Sequence, residues 1–313
     1  FTEFMKGRIA LPFTGSYPRL EHVFRKAVLS IAALPGSTLL EVMRLLGEEK
    51  FRRRVLRNLK DPVLRSFWEK EFTAFPDRFT AEVLQPVQNK LGAFLSSPLI
   101  RNIIGQARES LDFRKVIDQG MIFIASLPKG EIGEEASTLL GSVILSRFEL
   151  AALARADTPE EKRQDFALFV DEFPNFVTKS FAGMLSEARK YRLSLVLAHQ
   201  YLDQVDKDIL SAILGNVGTI ACFRLGAEDA KKLGPEFTPE FGPEDLASLK
   251  KHHFILRLLV DGVATKPFTA VTIPPAKAGD TTDHSETIRR ISRERYARSR
   301  KVVERIVAGR MNE

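Results

Sequence analysis

Three short stretches of this sequence put reactive side chains where an apolar run gives way to a loop. Phe166–Val170 (FALFV) closes on Asp171 and Glu172. A carboxylate pair after a buried strand suits two linked tasks: one residue holds a metal shell and the other polarises an attacking water. Ligands of open α/β sheets bind at those strand ends. The plainer use of the same pair is helix capping or loop solvation. Leu193–Ala198 (LSLVLA) closes on His199 and Gln200. If the two runs are neighbouring strands, the Gln200 amide falls beside the carboxylates, where it can orient water or sense a phosphate. Capping is its alternative use, and His199 alone reads as structural. Arg189, Lys190 and Arg192 precede the second run. A cation there can reach a neighbouring subunit's phosphate as an arginine finger, or simply complement a helix C-terminus.

Other chemistries find less support. The five histidines (22, 199, 252, 253, 284) show no metal-ligand spacing, and His252 and His253 point to opposite faces of any strand. No Gly-x-Ser-x-Gly elbow occurs, and Cys222 lies in mid-strand, which argues against a hydrolase nucleophile. The acidic pair lacks the Glu-x-Lys companion that nucleases favour. Two basic stretches could touch phosphate backbones. One holds Arg52, Arg53, Arg54, Arg57 and Lys60; the other runs from Arg289 to Arg305 and includes Arg293 and Arg298. Each also reads as a solvated helix face.

The elements that must position these residues fall into two grammars. Leu20, Val23, Phe24, Ala27, Val28 and Ile31 recur at helical spacing until Pro35-Gly36 ends the helix. Leu39–Leu46, Phe51–Leu59, Val63–Phe72 and Arg78–Leu95 continue the pattern, so residues 1–110 read as an all-α subdomain. Past Leu111 the sequence alternates apolar runs with amphipathic helices. The runs are Met121–Ser126, Phe166–Val170, Leu193–Ala198 and Thr219–Phe223. The helices are Glu134–Ala156, Phe181–Lys190 and Lys207–Leu214. Strands that do not alternate, separated by helices, predict a parallel sheet covered on both faces. His253–Val260 and Val263–Val271 flank Asp261-Gly262 and read as a hairpin, with Pro267 suited to an edge. The α/β core therefore spans 111–276, and 277–313 is a basic linker with a helical tail.

With 313 residues there is chain enough for two domains. Composition is 44% hydrophobic and 28% charged, which excludes disordered, collagen-like and coiled-coil classes. No apolar run approaches the roughly 18 residues of a membrane span. A single cysteine excludes an intrachain disulfide framework and points to a reducing compartment. The net charge of +7 is concentrated late, where residues 283–310 hold nine basic against four acidic side chains. That balance permits nucleic acid or an anionic membrane as partner.

Taken in order, Phe169–Phe176 (FVDEFPNF), Ser186–Arg192 (SEARKYR), Leu197–Gln200 (LAHQ), Gly215–Thr219 (GNVGT) and Phe223–Gly226 (FRLG) resemble the HerA/TraG-type ATPases. That group includes the coupling proteins of conjugation and type IV secretion. The resemblance covers about 111–275. The helical part, through Pro18–Glu21 and Arg101–Gly105, is similar to the group's helical insertion. The resemblance implies a P-loop NTPase (RecA/ASCE-like) core that uses ATP and Mg2+. By position, Asp171 is implied as the Walker B aspartate, holding Mg2+ through water. Glu172 is implied as the catalytic glutamate, Gln200 as the glutamine sensor and Arg189 as the trans-acting finger. Arg192 is the second choice, at the nucleotide's flank. The implied function is an ATP-driven DNA translocase built as a homohexamer, with relaxosome or secretion-channel proteins as further partners. The implied location is cytoplasmic, attached to the inner membrane through segments outside this sequence. The other reading is a non-catalytic module that recruits cargo or DNA.

One feature departs from the group. Gly-x-x-x-x-Gly-Lys-Ser/Thr is missing; Lys179-Ser180 is preceded by Thr178 and Phe173 where glycines belong, and Gly36-Ser37-Thr38 has no lysine. Without that loop the β- and γ-phosphates lack their cradle. In this family the loop precedes the helical insertion, so the expectation is that it lies upstream of Phe1 and that residues 1–313 alone do not hydrolyse ATP.

Overall fold

The computed structural model describes residues 18–76, 84, 85, 89, 92, 95–108, 110–177, 181–275 and 282–312. Most of the expected helix Arg78–Leu95, and Thr178 to Ser180, lie outside them. The helical region opens with α1 (Pro18–Ala32), α2 (Leu40–Gly47), α3 (Glu49–Asn58) and α4 (Pro62–Ser66), and resumes with α5 (Pro98–Ile104). The apolar stripe of α1 buries Val23, Phe24, Ala27, Val28 and Ile31 against Val42, Leu45 and Trp68. Asp61 caps α4 by accepting from the amides of Val63 at 2.8 Å and Leu64 at 3.0 Å, with Pro62 in the first turn.

The expected helix Val63–Phe72 is α only to Ser66; Phe67–Glu71 form a π-helical turn. The wider turn lets Phe67, Trp68 and Phe72 pack together, with Trp68 at 5.0 Å from Phe67 and 4.8 Å from Phe72. The Trp68 indole also donates to the Ser30 hydroxyl at 2.8 Å, satisfying its buried N–H.

The α/β region begins with α6 (Phe113–Asp118), the short α7 (Lys129–Ile132) and α8 (Glu134–Leu153). Helix α8 is apolar on two sides. Leu145 and Ala152 pack toward the strands, while Phe148 and Ala151 pack with Val116 and Ile117 of α6. That double duty has a consequence the run-length reading missed: Glu134–Asp157 is long and apolar enough, by length and composition, to cross a membrane. In this fold Leu145, Phe148, Ala151 and Ala152 of that stretch are buried in core contacts. Gly141 of α8 lets the Phe176 ring approach, and a Cβ there would fall 2.2 Å from the ring. Gly141→Ala is therefore expected to destabilise the protein by about 1–3 kcal/mol through overpacking, read as a lower urea midpoint at unchanged m.

Strands β1 (Phe166–Val170) and β2 (Leu193–Leu197) pair in parallel, Phe166 opposite Leu193 and Val170 opposite Leu197, as the spacing predicts. Between them lie α9 (Phe181–Glu187) and a 3-10 turn, Ala188–Tyr191, so the α-helix ends three residues before the expected Lys190. After β2 come α10 (Lys207–Asn216), β3 (Ile220–Cys222), α11 (Ala227–Leu233) and α12 (Pro243–Ser248). The chain then forms β4 (His253–Arg257), β5 (Leu259–Val260), β6 (Val263–Ala264) and β7 (Phe268–Val271).

Two expectations fail here. Met121–Ser126 is extended but hydrogen-bonded to no strand among the described residues; Met121 and Phe123 pack on Phe166, Leu168 and Phe148, and Ile122 and Ile124 point out. The four runs also do not form one sheet. β1–β2 stand alone, and β3 joins an antiparallel sheet in the order β3–β4–β7. The Asp-Gly hairpin is present, with Asp261 and Gly262 both at positive φ. His253 pairs with Val271, but Leu259 pairs with Ala264, so the second arm carries one extra residue beside Lys266-Pro267. This is a β-bulge, and it accommodates the proline.

The tail forms two helices, α13 (Ser285–Tyr296) and α14 (Arg300–Asn312). Helix α13 buries nothing. Helix α14 sits on the helical region instead of in solvent. Val303 and Val307 pack with Leu40, Arg310 pairs with Glu41 at 2.6 Å, and Arg44 donates to the Arg310 carbonyl at 2.5 Å.

Candidate functional site

The parallel register of β1 and β2 brings Asp171–Glu172 and Gln200 out at the same end of the sheet. Glu172 takes a left-handed backbone, φ 50°, an uncommon conformation for a side-chain-bearing residue. Its amide donates to Asp171 Oδ1 at 3.0 Å, and Gln200 Nε2 donates to its carboxylate Oε1. The three side chains thus form one cluster at the strand ends, as their spacing suggests. Asn175 Nδ2 donates to the Glu172 carbonyl at 3.0 Å and fixes the turn.

His199 stands behind this cluster with its ring edge-on to Phe173, centroids 5.0 Å apart. Burial holds its pKa below the ordinary imidazole value and outweighs the attraction of Asp229 and Glu172.

Two contributors escape a reading of the sequence. Lys129 Nζ donates to Asn175 Oδ1 at 2.9 Å and pairs with Glu134 at 3.2 Å, which brings a cation within two contacts of Glu172. Its only signal in sequence is a Pro-Lys-Gly turn after an apolar run. Asp229 Oδ2 accepts the Leu202 amide at 3.1 Å and anchors the loop that follows Gln200; a single aspartate 27 residues away gives no local clue.

Arg189 and Arg192 are not in this cluster. They lie at the opposite end of β2, and seven residues of extended chain put them roughly 20 Å away from Gln200. Arg192 pairs with Asp165 at 3.2 Å, whereas Arg189 is exposed. Their turn is tightly held. The Arg155 guanidinium, fully buried, donates to the Tyr191 carbonyl at 2.7 Å and to Asp118 Oδ1 at 2.7 Å; Arg163 donates to the Lys190 carbonyl. Partial burial opposes ionisation of Asp118, but hydrogen bonds from Arg155 and Arg114 hold its carboxyl below the usual range.

The basic residues of α3 differ in their freedom. Arg52 stacks 4.7 Å from the Phe72 ring centroid and caps α2, donating to the carbonyls of Leu45 and Leu46 at 3.2 Å each. Burial lowers its pKa, despite the pull of Glu49. Arg53 is exposed and pairs with Glu49 at 2.5 Å, and Arg54 lies over Phe51. Arg293 and Arg298 are exposed on and just after α13.

A metal–nucleotide group can be tested against these side chains. Asp171 is exposed and acts as an acceptor, and Glu172 and Gln200 already interact. They fit the side of a site that holds metal and water. Among the described residues no three His, Cys, Asp or Glu gather as a metal cage, and no Gly-Lys-Ser/Thr loop is encoded for the phosphates.

Residues 165–238 match the family model described as the TraM recognition site of TraD and TraG, and this region is of that coupling-protein type. No curated protein matches the chain in sequence. Among solved structures, the plasmid coupling protein TrwB bound to the non-hydrolysable GTP analogue GDPNP is similar, with TM-score 0.60 and 13% identity over 90% of this chain. TrwB with ADP and Mg2+ gives TM-score 0.56 and 14% identity over 84% of this chain. This chain spans 69% of the first and 64% of the second. At such identities the likeness is one of fold.

Proposed function

We propose that these residues belong to an ATP-driven, ring-forming DNA motor of the conjugative coupling type. The observation that carries this reading is the hydrogen bond from Gln200 to Glu172 across the ends of β1 and β2, beside an accessible Asp171. Mg2+ bound with ATP supplies positive charge to the phosphates. Asp171 would hold the metal, Glu172 would accept a proton from the attacking water, and Gln200 would orient that water. The nucleotide and Mg2+ complexes of TrwB support the choice of ligand. The phosphate cradle comes from outside these residues. The full-length protein is expected to turn over ATP with stimulation by DNA; no turnover with or without DNA overturns the reading.

A second role is favoured by the family description of 165–238. In this role the α/β region also receives a TraM-like partner, which brings the DNA–protein cargo to the motor. DNA itself meets the exposed arginines on and just after α13 without sequence preference. Replacing Arg289, Arg293 and Arg298 by Ala is expected to flatten the salt dependence of DNA binding, because each phosphate contact contributes about 0.9 to the log–log slope. An unchanged slope in a filter-binding titration removes α13 from the DNA path.

A further inference from the structure

The end of the sheet away from Glu172 holds a charged side chain that the motor reading leaves unused. Arg155 lies just after α8 and is fully buried. Its Nε donates to Asp118 Oδ1 and its Nη1 to the Tyr191 carbonyl, each at 2.7 Å. Its Nη2 has no partner among the described residues. Burying a guanidinium with a donor unmet is costly, and well-packed apolar side chains commonly serve a core as well or better. Stability alone is therefore a poor account of an arginine here. Its contacts give a better one, because they join α6, the end of α8 and the turn before β2.

That turn needs outside partners. Helix α9 gives way at Ala188 to a 3-10 turn that ends on Arg192 with φ 56°. The last carbonyls of a helix have no partner of their own. Arg155 takes the carbonyl of Tyr191, and Arg163 takes that of Lys190. Arg163 is itself held by the Thr158 carbonyl at 2.9 Å and lies 5.4 Å from the Tyr191 ring centroid. Arg114 donates to Asp157 and Thr158 at 2.8 Å each and pairs with Asp118, so the acceptor of Arg155 is also fixed. Arg192 is tied to Asp165. Ala188 is buried in the core, and the next side chain, Arg189, is exposed and engaged with nothing among the described residues. Three arginines hold the turn, and the fourth is left free at its surface.

We propose that Arg155 is a positioning residue: through the Tyr191 carbonyl it fixes the turn, and so the direction in which Arg189 leaves the subunit. The planar guanidinium suits the task, since one rigid fork sets two acceptors at a fixed angle. The proposal rests on the reading of Arg189 as a finger that acts across a ring interface, and it adds what aims that finger. Aim matters because a misplacement of about 1 Å can cost roughly 10²-fold in rate.

The test uses the full-length protein. Arg155→Met keeps much of the side chain's length, and Asp118 retains Arg114, so no buried charge is left alone. Amide hydrogen exchange is read first, without nucleotide. The Phe166 amide donates to the Arg192 carbonyl and the Arg192 amide to the Arg189 carbonyl, whereas the Phe173 and Ala198 amides close the opposite end of the strands. In Arg155→Met the first two are expected to exchange roughly tenfold or more faster, and the last two at the wild-type rate. Turnover is read second. Arg155→Met subunits are expected to regain turnover in mixed rings with Glu172→Gln but not with Arg189→Ala, because their own Glu172 site is intact and only the finger is misdirected. A uniform rise at all four amides, which is what a merely structural role gives, overturns the proposal, and so does no rise at all. Failure to complement Glu172→Gln where Arg189→Ala succeeds also overturns it. If Arg155→Met does not fold, Arg163→Met removes the Lys190 contact from a partly exposed position and carries the same expectations. Normal turnover by Arg189→Ala sinks the finger reading alone, since the exchange rates still decide whether Arg155 holds the turn.

Discussion

Glu172→Gln in the full-length protein is expected to lower ATP turnover by about 10²–10⁴ while nucleotide still binds, the usual loss when a general base is removed. The exchange is nearly isosteric, and a Gln at 172 can still meet the Gln200 amide through its own carbonyl. Asp171 keeps its carboxylate, so the proposed metal contact survives. The φ of 50° is no worse for Gln than for Glu. What the variant loses is the carboxylate that takes a proton. Steady-state turnover measured beside calorimetric binding separates the two effects. Turnover near wild type returns the Asp-Glu pair to a capping role.

Arg189→Ala has the larger expected range, roughly 10³–10⁵ in turnover if it behaves as arginine fingers do in GTPases. Its place at the far end of β2 rules out contact with its own Glu172, since an arginine side chain cannot bridge roughly 20 Å. The proposed finger role therefore requires a contact across a ring interface. The alternative role, neutralising a helix C-terminus, is worth less than about 1 kcal/mol. It is also partly redundant, because Arg155 and Arg163 already donate to the Tyr191 and Lys190 carbonyls of that turn. Mixed rings of Arg189→Ala with Glu172→Gln subunits are expected to regain some turnover, because an intact Glu172 then faces an intact Arg189. Normal turnover by Arg189→Ala alone, with unchanged stability, moves the assignment to Arg192.

Local patterns carried well from sequence to structure, and distant contacts did not. β1, β2 and the Asp261-Gly262 turn were legible because apolar runs and turn residues act over a few positions. The meeting of Glu172 with Gln200 followed from two strand ends in parallel. Met121–Ser126 has the composition of a strand but gains no ladder, since pairing depends on what lies alongside. The same reason hid the break between β2 and β3. Arg155 looks like any surface arginine in sequence, and only the fold shows it buried between Asp118 and Tyr191. Arg52 was one of several equivalent cations until the end of α2 required a donor.

The seat of α14 also sets an order of events during synthesis. Arg44 and its partner Arg310 are 266 residues apart, and Leu40 is closed over by Val303 and Val307. Translation proceeds at about 5–20 residues per second, so on the order of 10–50 s pass between the emergence of α2 and that of its cover. For that interval Leu40 has lost nothing but has not yet gained its packing, and Glu41 has no Arg310 beside it. Helix α2 is therefore finished long after it emerges. Ribosome-stalled chains that stop short of Val303 should remain more susceptible to protease at α2 than released chains, while α1, whose partners Val42 and Trp68 are near in sequence, should already resist.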